Sequence, residues 1–319
     1  MRNIRSSQKT PILFVGFIRS EHAARVFDVI KQQKPSKLFM AVDGPRKNHP
    51  HDIENIKKIR ELVNSIDWEC DLKTRFLDNN LGCKHAVSTA ISWFFEHVDR
   101  GIILEEDCVP NLSFFNFCSE LLDRYKSDER IMQISGNNYI KDKLKIKDSY
   151  YFSALNDIWG WATWRRAWQH FDLSMPNYQE YKKRKLLKKY VGFRDIASWL
   201  EIYLDRAASS SVDIWSSHWS YAIARNNGLT IVPKYNLVKN IGFDGTGTNS
   251  QNDSWGYYDK FKTVEIGELS HPNIISSNRE LDRLRFSVIR KTDPRFTFKN
   301  IVRRFFTRIN LSIKKVFND

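Results

Sequence analysis

Cysteine is scarce in this chain of 319 residues: the four present, Cys70, Cys83, Cys108 and Cys118, form no CxxC pair and no closely spaced framework. That excludes a disulfide-stapled scaffold and predicts free thiols in a reducing compartment. Long apolar runs are missing as well. The run that follows the polar N-terminus, Ile12 to Ile18, is interrupted by Gly16, and it is too short for a secretory signal with its cleavage site. No stretch reaches the ~18 apolar residues of a membrane-spanning helix. Internal repeats and low-complexity tracts are also lacking, which excludes fibrous and solenoid architectures. A soluble or peripheral protein on the cytoplasmic side of the plasma membrane is the expectation.

Acidic residues are in deficit. There are 37 Asp and Glu against 51 Lys and Arg, for a formal charge of +14, in a chain that is 41% apolar. The composition is globular and the length allows one large or two ordinary domains. The excess charge is not spread evenly. Lys182 to Arg194 holds seven basic residues and no acidic one, and Arg290 to Asp319 holds nine basic and two acidic, so these two segments of +7 carry the whole imbalance. The remaining body is neutral, which argues against nucleic acid as the partner of the whole surface.

What is present alternates. Pro11 to Ile18 reads as a buried parallel-type strand, Lys37 to Asp43 and Gly101 to Glu105 read as further strands, and Cys70 to Leu77 as a short one. Helical spacing fills the intervals at Glu21 to Gln33, Asp52 to Ile66 and His85 to His97. This order predicts βαβ units, a mostly parallel sheet flanked by helices, and ligand binding at the carboxyl ends of the strands. A helix over Ser113 to Tyr125 and a strand over Arg130 to Ser135 follow. Beyond Lys141 the pattern loosens into a charged loop to Lys147, an aromatic-rich stretch from Ile158 to Trp168, and a basic helix from Tyr178 to Trp199. Short strands at Leu229 to Pro233 and Leu237 to Ile241 complete it. The expected organisation is a parallel-sheet half over 1–140, a mixed half of the same domain over 141–289, and a basic tail over 290–319.

Candidate chemistry sits at the predicted strand ends. Glu105, Glu106 and Asp107 follow the fourth strand directly. Carboxylates gathered there repel one another unless they share a cation, and hard oxygen ligands suit Mg²⁺ or Mn²⁺. Gly82 and Lys84 open a helix whose first N–H groups, with the lysine, suit a diphosphate. Asp43 ends the second strand and is placed to accept hydrogen bonds from a base or ribose, and Arg19 follows the first. Four sites at four strand ends converge on one crevice.

The ordered set Val15-Gly-Phe-Ile-Arg19, Ala41-Val-Asp-Gly-Pro45, Asn80-Leu-Gly-Cys-Lys84 and Ile103-Leu-Glu-Glu-Asp-Cys-Val-Pro110 resembles GT-A nucleotide-diphospho-sugar transferases. It is similar in particular to bacterial glycosyltransferases of the N-acetylglucosaminyltransferase I type, whose triplet usually reads Glu-Asp-Asp. The likeness covers roughly residues 11–262. It implies a GT-A, Rossmann-like fold with a nucleotide-sugar donor held by Phe17, Arg19, Asp43, Lys84, Glu105 and Glu106, and Mn²⁺ or Mg²⁺ on Asp107. Gly160 and Trp161 are implied as acceptor or sugar contacts. Where the family carries Trp-Asp-x-x-Trp, this chain reads Trp215-Ser-Ser-His-Trp219, with Ser216 in the place of the acid. An alcohol is a poor proton acceptor at neutral pH, so Asp213 or His218 is expected to deprotonate the acceptor. A histidine common in the family's later loop is replaced by Asn249. The implied reaction is an inverting sugar transfer to a glycan or lipid-linked hydroxyl, in assembly of a bacterial surface polysaccharide or glycolipid. The alternatives are a degenerate glycan-binding homologue and a metal-dependent nuclease or phosphohydrolase.

The tail has its own pattern. Phe298, Ile301, Val302, Phe305, Phe306, Ile309, Ile313, Val316 and Phe317 fall at helical spacing with basic residues between them. This predicts an amphipathic helix on an anionic membrane surface, with Lys182 to Arg194 on the same face.

Overall fold

The computed structural model describes residues 9–140, 145–244 and 261–292. The elements run β1 (Ile12–Gly16), α1 (Ser20–Gln33), β2 (Lys37–Val42), α2 (Pro50–Glu61), β3 (Asp71–Phe76), α3 (Gly82–His97), β4 (Arg100–Glu105), β5 (Cys108–Pro110) and α4 (Leu112–Arg124). They continue through β6 (Ile131–Ser135), β7 (Tyr150–Ser153), β8 (Trp161–Trp164), α5 (Arg165–Trp168), α6 (Tyr178–Lys183), α7 (Leu186–Val191) and α8 (Arg194–Ala208). The last are α9 (Ser216–Arg225), β9 (Leu229–Pro233), β10 (Val238–Asn240) and α10 (Arg279–Thr292).

Eight strands form one sheet in the order β3-β2-β1-β4-β8-β6-β9-β7, and β5 pairs with β10 in a small second sheet. β3, β2, β1 and β4 are mutually parallel, whereas β8 enters antiparallel between β4 and β6. The chain is thus mixed α/β, and one sheet runs through both halves expected from the sequence. All five residues of β1 are buried. Ile12 and Phe14 pack on one face with α1, α2 and α4, and Leu13 and Val15 on the other with α3 and α9. Period-two alternation therefore divides one apolar run between two helical layers. Each fully buried side chain of this size contributes about 1.5–3 kcal/mol, so the sheet is a rigid base for its carboxyl edge.

Local signals explain several boundaries. Pro50 opens α2 at a position where its missing N–H costs nothing. Asn111 caps α4, its side chain accepting from Phe114 N at 3.1 Å. The basic stretch expected as one helix over 178–199 is three pieces. The chain turns left-handed at Lys185 (φ 53) and at Gly192 (φ 79), and each turn ends a helix. α10 crosses the expected tail boundary at 290, and the remainder of the tail, 293–319, lies outside the described residues, as do Asn249 and 141–144 of the charged loop. Among the described residues no helix is long and apolar enough to cross a membrane.

Candidate functional site

Register builds the site. Val15 of β1 is level with Glu105 of β4, and Gly16 is level with Val42 of β2. The residues that follow each strand therefore emerge on one edge. Arg19 comes from β1, Asp43 from β2 and the acidic turn from β4. The turn is held at its far end by β10, where Ile241 N donates to Asp107 O at 2.8 Å.

Arg19 is the centre of this edge. Its Nη2 lies 2.9 Å from Glu106 Oε1 and 2.9 Å from Asp107 Oδ2, while Nε donates to Glu106 Oε1 at 3.0 Å. Nη1 is buried without a hydrogen-bond partner among the described residues. Burial works against the guanidinium charge, but Glu106 and Asp107 outweigh it and raise its pKa. Burial also pushes the Glu106 carboxyl up, against the pull of Arg19. It pushes Glu105 up to about 8, with Asp107 and Glu106 adding to the shift. The turn is thus an electrostatically loaded cluster of three acids with one resident cation. Gly242 closes over it: a Cβ there would lie 2.3 Å from Asp107 Oδ2 and 2.5 Å from Arg19 Nη1, so a side chain at this position would displace the ion pair.

Asp43 is buried and committed to the loop before α3. Its carboxylate accepts from Leu81 N at 3.0 Å, Gly44 N at 2.8 Å and Asn80 Nδ2 at 2.7 Å. Burial raises its pKa and the N–H donors of Leu81, Gly44 and Gly82 oppose the rise. Phe17 is half-buried, with Arg46 5.4 Å above its ring.

The first turn of α3 carries an anion of the protein's own. Asp213, exposed, accepts from Cys83 N at 2.8 Å and Lys84 N at 2.9 Å. The N–H groups expected to seat a diphosphate are thus occupied by a capping carboxylate of the chain itself. His218 is 2% exposed in α9. Its Nδ1 has no hydrogen-bond partner among the described residues, and desolvation, with Lys84 nearby, lowers its pKa. Of the two residues expected to act as base, only Asp213 reaches solvent.

Gly160 and Trp161 do not line the edge. Trp161 is 0% exposed, stacked at 5.7 Å on Trp215 and packed against Trp168 and Trp219. Gly160 is buried against Val238 and Leu104. Both serve the core because β8 inserts between β4 and β6, where both sheet faces are covered, so the expected sugar contacts are corrected to packing residues. Trp159, just before them, is 5.1 Å from Phe243 and 5.8 Å from Tyr139, and Phe243 follows the Gly242 that closes over the acidic turn. His22, unnoticed in the sequence, reaches Ile241 O at 3.1 Å and Asp244 Oδ2 at 3.0 Å. Its spacing from Arg19 within one helix turn was the available signal.

No group of three or more His, Cys, Asp or Glu side chains among the described residues is arranged as a metal cage. The donor chemistry nevertheless fits a hard divalent cation, because Mg²⁺-type sites use one or two carboxylates and complete their shell with phosphate and water. Comparison with protein-family models and with curated proteins returned no match.

Proposed function

We propose that the chain is a GT-A type, metal-dependent glycosyltransferase that moves a sugar from a nucleotide-diphospho-sugar to a glycan or lipid-linked hydroxyl, in bacterial surface polysaccharide or glycolipid assembly. The observation that carries the proposal is the alignment of Asp43, Arg19 and Glu105 to Asp107 along one carboxyl edge of a parallel sheet, beside Lys84. That edge is where open α/β sheets bind their ligands, and a nucleoside diphosphate needs the mixture of carboxylate and cation found there.

In this reading Asp107 holds Mn²⁺ or Mg²⁺, which neutralises the charge that grows on the departing diphosphate. Arg19 is within reach of the same phosphates once it releases a carboxylate, and its unpartnered Nη1 supplies a donor. Glu105, whose carboxyl is pushed up by burial beside Asp107 and Glu106, completes the acidic wall facing the nucleotide. Phe17 and Asp43 shape the nucleotide end. Asp213, exposed and oriented by two backbone N–H groups, takes the acceptor proton. A buried His218 holds no such position.

The test is hydrolysis of nucleotide sugars in the presence of Mn²⁺. An active transferase releases nucleoside diphosphate slowly without acceptor, a glycan-binding homologue binds without turnover, and a nuclease leaves the donor intact.

A further inference from the structure

Away from the acidic edge, α6 and α7 turn Tyr178, Tyr181, Leu187 and Val191 into the core. Their other faces expose Lys183, Arg184, Lys185, Lys188 and Lys189, and Arg194 is exposed at the start of α8. Lys182 is paired with Asp205. No ion pair neutralises the other six among the described residues. The nearest acid on α8, Asp195, is already taken by Arg283 of α10 at 2.5 Å.

α10 ties this face to the candidate site. Arg279 lies against Gly192, Arg283 covers Phe193 at 5.1 Å, and Phe286 meets Trp199 at 5.5 Å. From Arg279 the helix runs about 13 Å, at ~1.5 Å per residue, to Val288, which packs with Tyr139 and Phe261. Tyr139 in turn meets Trp159, which packs on Phe243.

We propose that Lys183, Arg184, Lys185, Lys188, Lys189 and Arg194, beside the root of α10, dock on an anionic lipid bilayer surface. Unneutralised cations on two short convex helices suit a field of headgroups. The aromatics of the segment are turned into the protein, with the Tyr190 hydroxyl donating to Gly228 O at 2.7 Å and Phe193 beneath Arg283. No stacking platform for single-stranded nucleic acid is left. The sequence beyond Thr292 interleaves Phe and Ile with Lys and Arg at helical spacing, a pattern that suits a bilayer surface better than nucleic acid. The inference is independent of sugar transfer, since docking requires no nucleotide.

Full-length protein should co-sediment with vesicles of phosphatidylcholine and phosphatidylglycerol in a two-to-one ratio, and not with phosphatidylcholine alone. Replacing Lys185, Lys188 and Lys189 together by Gln should lower the partition coefficient about a hundredfold, at about fivefold per basic residue. The corresponding Arg triple should bind as the natural chain does. Three results would overturn the proposal: unchanged partitioning of the Gln triple, equal loss in the Arg triple, which would trace the effect to structure, or release from vesicles by an equimolar oligonucleotide.

Discussion

Arg19→Met tests the electrostatics of the acidic turn directly. Methionine keeps most of the aliphatic length and removes the cation that, among the described residues, pairs with Glu106 and Asp107, whose side chains are 9% and 10% exposed. Removing one partner of a buried pair costs about 3–5 kcal/mol, because the remaining charge is left unpaired. With an unfolding entropy of about 2.1 cal/mol/K per residue, the expected loss in melting temperature is about 5–7 °C. The loss depends on pH in a definite direction. Arg19 is the influence that lowers the Glu106 pKa against burial, so in the variant that pKa lies further above its ordinary value. A raised folded-state pKa confers stability that is fully present below the ordinary carboxylate range and is lost as pH rises through the folded pKa. The deficit is therefore largest near about pH 8 and shrinks toward about pH 5. Melting curves of both proteins in chelator at the two pH values read this out. A variant that melts with the natural chain at both, or a deficit that is the same at both, would refute the electrostatic account.

Two further substitutions separate roles at neighbouring positions. Trp161→Leu should cost about 3 kcal/mol or more through the cavity left among Trp168, Trp215 and Trp219, with the KM for donor and acceptor unchanged; a shift in acceptor KM without loss of stability would return Trp161 to the site. Asp213→Asn retains one of the two oxygens that cap α3 and so should lower the stability by only about 1 kcal/mol. It should also slow transfer by about 10²–10⁴-fold, as expected for loss of a general base; undiminished transfer would remove Asp213 from the chemistry.

The parallel half of the fold was legible in the sequence because strands buried on both faces read as unbroken apolar runs, and Ile12 to Gly16, Lys37 to Val42 and Arg100 to Glu105 are such runs. The convergence of Arg19, Asp43 and the acidic turn was legible too, since it follows from parallel register alone. β8 was not. Trp161 to Trp164 is buried on both faces, so its aromatic content resembled a binding stretch, and its antiparallel insertion between β4 and β6 is a non-local pairing that no local pattern announces. The capping of α3 by Asp213 joins positions 129 and 130 residues apart, and the Arg19 pairs join positions 87 and 88 apart. Such contacts are set by the closed sheet, not by spacing along the chain. The broken helix over 178–199 has a local cause, the left-handed residues Lys185 and Gly192, yet a lysine in that conformation carries no sequence signal.

The central claim is that the acidic turn binds a nucleotide-diphospho-sugar through a divalent cation on Asp107. Calorimetric titration of a panel of nucleotide sugars, with and without Mn²⁺, into the natural chain and Asp107→Asn tests it most directly. At least one donor should bind the natural chain with Mn²⁺ and weaken about tenfold or more, ~1.4 kcal/mol, both when Mn²⁺ is omitted and when Asp107 is replaced. Donor binding that is indifferent to Mn²⁺ and to Asp107, or no binding by any nucleotide sugar, would contradict the account.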